Sequence, residues 1–313
     1  MIYFICVYLA SFIAYFVLKM LNTHYSFRQF EREEGLLTHK VKNGTATMGG
    51  TVFVLIPSIF LLSKNFTIKN LLLVCVFISF SFIGFIDDYK VIKNKNNEGL
   101  SPKKRLIFEY AISFIAIIIL LILGCKKSIN IFGYACDLGF FFIPVISTFL
   151  VGSANSYNLT DGVDSLLASL SVIISFGLLI ISFDKKEYDI SFFLMCLIIS
   201  LCAFYFLNYN KAALFMGDTG SLAIGGVLSF IALMLDSIFV FAIMSMPLYF
   251  ETFSDIIQVF YYKKTKGKRL FLMAPFHHHL ELLGYSEKMI CALFSLVEIV
   301  LVLFCLYLLN IFN

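Results

Sequence analysis

Residues 165–183 read SLLASLSVIISFGLLIISF, a run without a single charged side chain that Asp164 and Asp184 bound on either side. A helix of roughly 20 apolar residues crosses a hydrocarbon core about 30 Å thick, so this run has the length and composition of a membrane span. Similar apolar blocks recur from one end of the chain to the other. The sequence therefore predicts a helical membrane protein rather than a soluble domain.

The composition supports this prediction. Of the 313 residues, 60% are hydrophobic and only 14% are charged, whereas a soluble domain carries about 25% charged residues to keep its surface hydrated. The net charge of +4 is too small to indicate a nucleic-acid partner. Eight scattered cysteines indicate small hydrophobic residues rather than a disulfide framework, although Cys125 and Cys136 share one loop in which a pair is an open alternative. Residues 2–21 lack a basic segment and a cleavage site, which favours a retained span over a signal peptide.

Blocks bounded by charges and turn residues predict an all-α, polytopic integral membrane protein with about ten transmembrane helices in a single domain, 1–313. The expected spans are 2–21, 48–63, 68–86, 106–124, 138–154, 165–183, 190–207, 220–235, 237–260 and 288–312. One side of these spans holds most of the lysines and arginines, in the loops 22–47, 87–105, 155–164, 208–219 and 261–287. By the positive-inside rule that side is cytoplasmic, and both termini lie on the extracytoplasmic side.

Two carboxylate motifs lie on the predicted cytoplasmic side. Asp87 and Asp88 are adjacent where the third span ends, and such a pair is costly near a membrane unless a cation or polar partners offset it. Asp218 stands between two glycines, after Asn208 and Phe215. Mg²⁺ prefers one or two protein carboxylates together with phosphates and water, so both motifs suit a magnesium site. A solvated helix end and an ordinary Gly-Asp turn are the structural alternatives.

Two further segments on this side are rich in polar or small residues. Residues 155–164 (NSYNLTDGVD) supply amides, carboxylates and a glycine but no basic residue, which is more than a simple turn requires. Asp161 and Asp164 would share a face if this segment is helical. Residues 40–50 combine lysines, small side chains and backbone N–H groups that suit a phosphate, although close helix packing explains Gly49 and Gly50 nearly as well.

Three consecutive histidines occupy positions 277–279, within the segment 273–281. Consecutive residues on a helix diverge by about 100°, so a zinc site formed by all three is disfavoured. Contact with phosphate or sugar, and support of the loop, are the favoured interpretations. The preceding basic run, 263–269, is explained mostly by membrane orientation and attraction to anionic lipid. Taken together, these motifs suit anionic phosphates, a divalent cation and a lipid tail.

In these motifs the chain resembles the phospho-N-acetylmuramoyl-pentapeptide transferases, a bacterial family within the polyprenyl-phosphate N-acetylhexosamine-1-phosphate transferases. The resemblance runs end to end, and its most specific segments are Gly44–Gly50, Gly84–Tyr89, Asn158–Asp164, Phe215–Ser221 and Gly267–Glu281. It implies transfer of phospho-MurNAc-pentapeptide from UDP-MurNAc-pentapeptide to undecaprenyl phosphate, giving lipid I and UMP in the first membrane step of peptidoglycan synthesis. It also implies a Mg²⁺ cofactor, surrounding membrane lipids, a homodimer, and a multi-pass location in the bacterial cytoplasmic (inner) membrane with the active site facing the cytoplasm.

The resemblance further implies roles for individual residues. The catalytic positions are Asp87, Asp88 and Asp218, and the metal ligands among them are Asp218 and Asp88. The substrate-binding positions are Lys42, Thr47, Asn158, Asp161, Asp164, Asn208, Phe215, His277, His278 and His279. Three departures from the family pattern are Ala46 and Lys211 in place of prolines, and Arg105 in place of a lysine, which keeps the charge but not its compactness.

We expect phosphoryl transfer to depend on charge neutralisation and alignment. In the expected one-step reaction, Asp218 holds the Mg²⁺ that stabilises the leaving UMP, and Asp87 takes a proton from the attacking acceptor. A two-step route through a covalent aspartyl phospho-sugar is an open alternative. A polyprenyl-phosphate GlcNAc-1-phosphate transferase for teichoic acid or polysaccharide is disfavoured by the motif 274–279 (APFHHH). A secondary transporter is disfavoured because its acids would lie near the midplane of the bilayer.

Overall fold

The structure is a computed structural model that describes residues 2–24, 45–94, 99–209 and 212–309. It is mostly helical, as the sequence predicts. In chain order the elements are α1 (Ile2–His24), α2 (Gly50–Lys64), α3 (Ile68–Asn94), α4 (Pro102–Ile122), β1 (Ser128–Ile131), β2 (Tyr134–Asp137), a 3-10 turn (Gly139–Phe141), α5 (Phe142–Thr160), α6 (Leu166–Asp184), α7 (Tyr188–Asn208), α8 (Gly217–Met234), α9 (Ile238–Met244), α10 (Met246–Lys264), α11 (Phe276–Leu282) and α12 (Glu287–Leu308).

Eight helices in the described part of the chain are long and apolar enough to cross a membrane: α1, α3, α4, α5, α6, α7, α8 and α12. The pair α9 and α10 passes the same test together, and α2 is a shorter apolar helix. Outward-facing apolar side chains cover α1, where Phe12, Ile13 and Phe16 are exposed. Such a surface is compatible with lipid rather than with water. The chain is a multi-pass membrane protein.

The expected span 237–260 consists of two helices, α9 and α10, rather than one. The two helices meet at Ser245 and are bent by 70°. Pro247 lies in the first turn of α10. A proline has no N–H to donate and its ring clashes with the preceding turn, so the helix that comes before it ends there.

A small antiparallel hairpin, β1–β2, departs from the all-α prediction. Ser128 pairs with Asp137 and Ile131 with Tyr134, so Phe132 and Gly133 form the two-residue turn. Both turn residues have positive φ, +46° and +94°, as the tightest hairpin turns require. The sequence does not predict this turn, because a phenylalanine occupies a position that asparagine or aspartate usually takes. The Phe132 ring packs edge-on against Phe239 of α9, 5.6 Å between centroids.

Helix α8 lies at the centre of the bundle and is the most buried of the long helices. It packs against α2, α3 and α5. Its closest neighbour is α3: a Cβ added at Gly84 would lie 2.0 Å from the carbonyl oxygen of Asp218, so only glycine permits this approach. The first turn of α8 is thereby held against the part of α3 that carries the two adjacent aspartates.

Several predicted loops begin or end inside helices. Helix α3 continues through Asp87 and Asp88 to Asn94, and α5 continues through Asn158 to Thr160. The predicted loop 208–219 contains the start of α8, and 261–287 contains α11. The 27 residues of α3 span about 40 Å, which exceeds the thickness of the hydrocarbon core, so its polar last turns extend beyond the apolar run that marked the span.

Candidate active site

Asp88 organises the start of α8 from the neighbouring helix. Its Oδ1 accepts a hydrogen bond from the backbone N–H of Asp218 at 3.1 Å. Its Oδ2 accepts from the N–H and the hydroxyl of Thr219, at 3.0 and 2.6 Å. The first N–H groups of a helix have no partner within it, and a negative charge is favoured there. Asp88 therefore caps α8 and holds Asp218 in place.

The carboxylate of Asp218 joins three helices. Its Oδ2 accepts from the guanidinium NH1 of Arg105 in α4, at 2.9 Å. Its Oδ1 accepts from the amide of Asn158 in α5, at 2.8 Å, and Arg105 NH2 donates to the Asn158 oxygen at 3.0 Å. The Asp218 side chain remains 27% exposed. These contacts fix its orientation while they leave one face accessible to a ligand.

Behind Arg105 lies a buried carboxylate that the sequence reasoning missed. Glu109 is fully buried and accepts from Arg105 Nε at 3.1 Å and from Asn155 Nδ2 at 2.6 Å. Arg105 NH2 also donates to the Asn155 oxygen at 3.0 Å. The available signal was the four-residue spacing of Arg105 and Glu109 on a helix, which brings opposite charges together.

Asp87 lies beside this network at the same end of α3. Its Oδ1 accepts from the backbone N–H of Leu100, at 2.7 Å, and the side chain is half-buried. The hydrogen bond ties the end of α3 to the segment that enters α4. Asp87 and Asp88 therefore diverge: Asp88 faces α8, whereas Asp87 faces the beginning of α4.

The segment that precedes α2 pairs with the segment that precedes α8. Phe215 N–H donates to the Ala46 oxygen, and Gly49 N–H donates to the Phe215 oxygen, both at 2.8 Å. Thr47 is buried between them, and its hydroxyl lies 3.0 Å from the point where a Cβ on Gly217 would be. The structure thus brings Thr47 and Phe215 to the carboxylates. Lys42 and Lys211 lie outside the described residues.

Asn208 and Asp164 connect backbone segments at this end of the bundle. The Asn208 oxygen accepts from Ser165 N–H, and its amide donates to the Leu214 oxygen at 2.9 Å. Asp164 Oδ2 accepts from Ala212 N–H at 3.0 Å. Asp161 directly follows α5, three residues before Asp164, and its side chain is half-buried. These residues connect the loops to one another, and their contact with substrate stays a prediction.

The three histidines have three different partners. His277 Nδ1 lies 3.1 Å from Glu251 Oε2, and His278 Nδ1 lies 2.7 Å from Glu281 Oε2. His279 Nδ1 accepts from the backbone N–H of Leu272 at 3.1 Å. The three rings therefore point in different directions.

His277 reaches the segment that follows α5. A Cβ added at Gly162 would lie 2.3 Å from His277 Nε2, so glycine is needed for the ring to approach. His277 Nε2 and Glu251 Oε1 are both buried, and neither has a hydrogen-bond partner among the described residues. The histidine segment and the polar segment 155–164 therefore meet.

The described residues contain no group of three or more His, Cys, Asp or Glu side chains that could hold a metal ion. Magnesium has a different requirement, since one or two carboxylates suffice when phosphates and water complete its shell. Asp218 fits this requirement: it is partly exposed, and each oxygen has lone pairs beyond its one hydrogen bond from Arg105 or Asn158. Asp88 fits less well, because its oxygens already accept three hydrogen bonds.

Comparison with known proteins identifies the family of this chain. The sequence pattern of glycosyl transferase family 4 matches residues 70–236, more than half of the chain. The chain belongs to this family. The matched part of this family 4 member includes Asp88, Arg105, Asn158 and Asp218, whereas the histidine motif lies beyond it.

Curated relatives of this family 4 chain are named phospho-N-acetylmuramoyl-pentapeptide-transferase. One from Listeria monocytogenes is 38% identical over 268 residues, 83% of each chain. One from Clostridium perfringens is 38% identical over 277 residues, which is 88% of this chain and 85% of the relative. One from Streptococcus gordonii is 36% identical over 264 residues, 82% of this chain and 80% of the relative. The resemblance carried by the sequence motifs is confirmed.

Proposed function

We propose that this protein transfers phospho-MurNAc-pentapeptide from UDP-MurNAc-pentapeptide to undecaprenyl phosphate, which gives lipid I and UMP. The relatives named for this transferase span more than four-fifths of the chain. The observation that carries the proposal is the convergence of Asp88, Arg105, Asn158 and Asp218, from four helices, around one partly exposed carboxylate. Phosphoryl transfer requires this combination of fixed charges more than it requires covalent chemistry.

Asp87 is the proposed general base. The hydrogen bond from Leu100 N–H holds one of its oxygens and so fixes the direction of the carboxylate. In the proposed step Asp87 takes the proton of undecaprenyl phosphate, whose oxygen attacks the β-phosphorus of the nucleotide. The bond between that phosphorus and the bridging oxygen breaks, and its electrons leave with UMP.

Asp218 is the proposed magnesium ligand, and Asp88 positions it through the first turn of α8. When bound there, Mg²⁺ would neutralise the diphosphate and so stabilise the leaving group. The guanidinium of Arg105, which contacts the same carboxylate, adds a fixed positive charge beside the reacting phosphates. His277 and Gly162 bring the histidine segment to the same end of the bundle, where it is proposed to contact substrate.

The proposed topology has ten crossings. It counts the eight long helices, α2, and the bent pair α9–α10 as one crossing. The positive-inside rule then puts the site on the cytoplasmic side of the bacterial inner membrane, with both termini outside. The homodimer implied by the resemblance stays a prediction.

The decisive experiment supplies purified protein with UDP-MurNAc-pentapeptide, undecaprenyl phosphate and Mg²⁺, and measures UMP and lipid-linked product. We expect both products in equal amounts, with none when the acceptor lipid or Mg²⁺ is omitted. Product from UDP-GlcNAc instead would assign the protein to the teichoic-acid or polysaccharide branch. Isolation of a labelled phospho-sugar enzyme in the absence of acceptor lipid would replace the one-step mechanism with a two-step route.

A further inference from the structure

Arg105, which is partly exposed, and Glu109, which is fully buried, form an ion pair. A guanidinium has five N–H donors in a rigid fork. Arg105 uses one edge, Nε, to contact Glu109, and directs NH1 and NH2 to Asp218 and to the oxygens of Asn155 and Asn158. Because the fork is planar and rigid, fixing the Nε edge fixes the direction of the other donors.

Glu109 also contacts Asn155, which is itself a hydrogen-bond partner of the Arg105 guanidinium. Its other oxygen accepts from the amide of Asn155 at 2.6 Å, and that amide also donates to the Val151 oxygen at 2.9 Å. This contact determines which end of the Asn155 side chain faces Arg105 NH2. The Glu109 side chain is fully buried in the apolar helix α4 and lies one helical turn away from Arg105. A charge in that position is costly unless its partners are well placed.

We propose that Glu109 is a positioning residue for the reaction, acting through Arg105. It orients the guanidinium so that NH1 and NH2 hold Asp218 and Asn158 in fixed positions. Asp218 would then be placed to hold Mg²⁺, which would supply positive charge to the phosphates of the substrate. The inference rests on the proposed function, because the orientation of Asp218 matters for the reaction only if Asp218 is the magnesium ligand.

A lysine distinguishes positioning from simple charge neutralisation. Lysine carries the same charge as arginine, but it is a point charge on a flexible stem without a fork to be aligned. If Glu109 only offsets the positive charge at position 105, replacing Glu109 should lower kcat by the same factor whether that position holds arginine or lysine. If Glu109 orients the fork, its loss should matter only beside arginine. A double-mutant cycle separates these cases.

The test compares Glu109→Gln, Arg105→Lys and the double variant with the wild-type protein. Glu298→Gln is the matched control, because Glu298 is also fully buried in an apolar helix, and its carboxylate has no hydrogen-bond partner among the described residues. Three quantities are measured on purified protein: kcat and KM for UMP release at saturating Mg²⁺, Mn²⁺ affinity from the electron paramagnetic resonance of free Mn²⁺, and thermal stability.

We expect Glu109→Gln to lower kcat by about tenfold or more, as misplacement of a catalytic group does, with a smaller change in KM. Its Mn²⁺ affinity should fall several-fold. When the Arg105→Lys variant is the starting point, the same change should alter kcat and Mn²⁺ affinity by less than about twofold, within the error of independent effects. Glu298→Gln should keep wild-type kcat and Mn²⁺ affinity.

Equal losses in the two backgrounds would overturn the proposal in favour of a pure charge effect. Wild-type kcat and Mn²⁺ affinity in Glu109→Gln would also overturn it. A wild-type protein that releases no UMP would instead refute the proposed function, and the Mn²⁺ arm of the cycle would still decide whether Glu109 positions Asp218 through Arg105.

Discussion

The two ends of the helix bundle use carboxylates in different ways. At the far end, Asp189 of α7 accepts from Asn65 and Asn70, which lie at the junction of α2 and α3. At the site end, Asp88 and Asp218 connect α3, α4, α5 and α8. The far end joins the consecutive helices α2 and α3 to one neighbour, α7. The site end joins four helices through two carboxylates and one arginine.

We infer from this difference that the far-end carboxylate stabilises the fold, whereas the site-end carboxylates serve the proposed reaction. The Asp189 contacts complete the polar groups where helices turn back, and a substitution there should affect stability. The site end carries Arg105 and a partly exposed Asp218. It also carries the buried Glu251 and His277, and one side-chain atom of each of these two residues has no hydrogen-bond partner among the described residues. Substitutions at that end should affect turnover first.

The largest effect is expected for Asp218→Asn. The change removes the charge that is proposed to bind Mg²⁺ while it keeps the size of the side chain, so UMP release should fall by about 1,000-fold or more. Asp189→Asn is the matched control at the far end and should stay within about twofold of wild type. Near-normal turnover in Asp218→Asn, measured on protein that elutes as wild type does, would exclude its role as the metal ligand.

Asn158→Ala should be the next most damaging change. It removes a donor to Asp218 and an acceptor for Arg105, and the loss of one such preorganised group costs about 100-fold in kcat. The control is Asn70→Ala, which removes a donor to Asp189 and should lower the thermal midpoint without changing kcat. The comparison fails if the two variants lose turnover to the same extent.

Gly162→Ala tests the approach of the histidine segment. The added Cβ would meet His277 Nε2 at 2.3 Å, so the ring must move away. Such overpacking costs about 1–3 kcal/mol, and we expect turnover to fall by about tenfold. Gly152→Ala, within the preceding helix α5 and with open space around it, is the control for turnover and for thermal unfolding. Unchanged KM and kcat in Gly162→Ala would show that the position of the His277 ring does not affect the reaction.

The smallest effect is expected in the hairpin at the far end. Tyr134 is 83% exposed and lies next to the turn. Tyr134→Ser should change the free energy of unfolding by about 0.5 kcal/mol or less and leave UMP release unchanged. A fivefold loss of turnover would give the far end a functional role and erase the contrast between the two ends.

Much of the site was predictable from short motifs, because the chain bears its polar residues where apolar runs stop. Asp87, Asp88, Asp218 and the histidines were selected for that reason, and the structure places them at one end of the bundle. Their partners were less predictable. Glu109 lies inside an apolar run and resembles an ordinary span residue until its contact with Arg105 is known. The break before Pro247 was missed because the apolar pattern continues across it.

The amino-acid sequence alone determined the membrane class, the mostly helical fold and the family, since hydrophobic run lengths and short motifs are local properties of the chain. Only the tertiary structure separated the roles of the two adjacent aspartates, turning Asp88 toward α8 and Asp87 toward Leu100. It also built the Arg105–Glu109–Asn155 network. The physical reason is that hydrogen bonds between helices depend on their rotation and separation, which the close packing at Gly84 sets and no local pattern encodes.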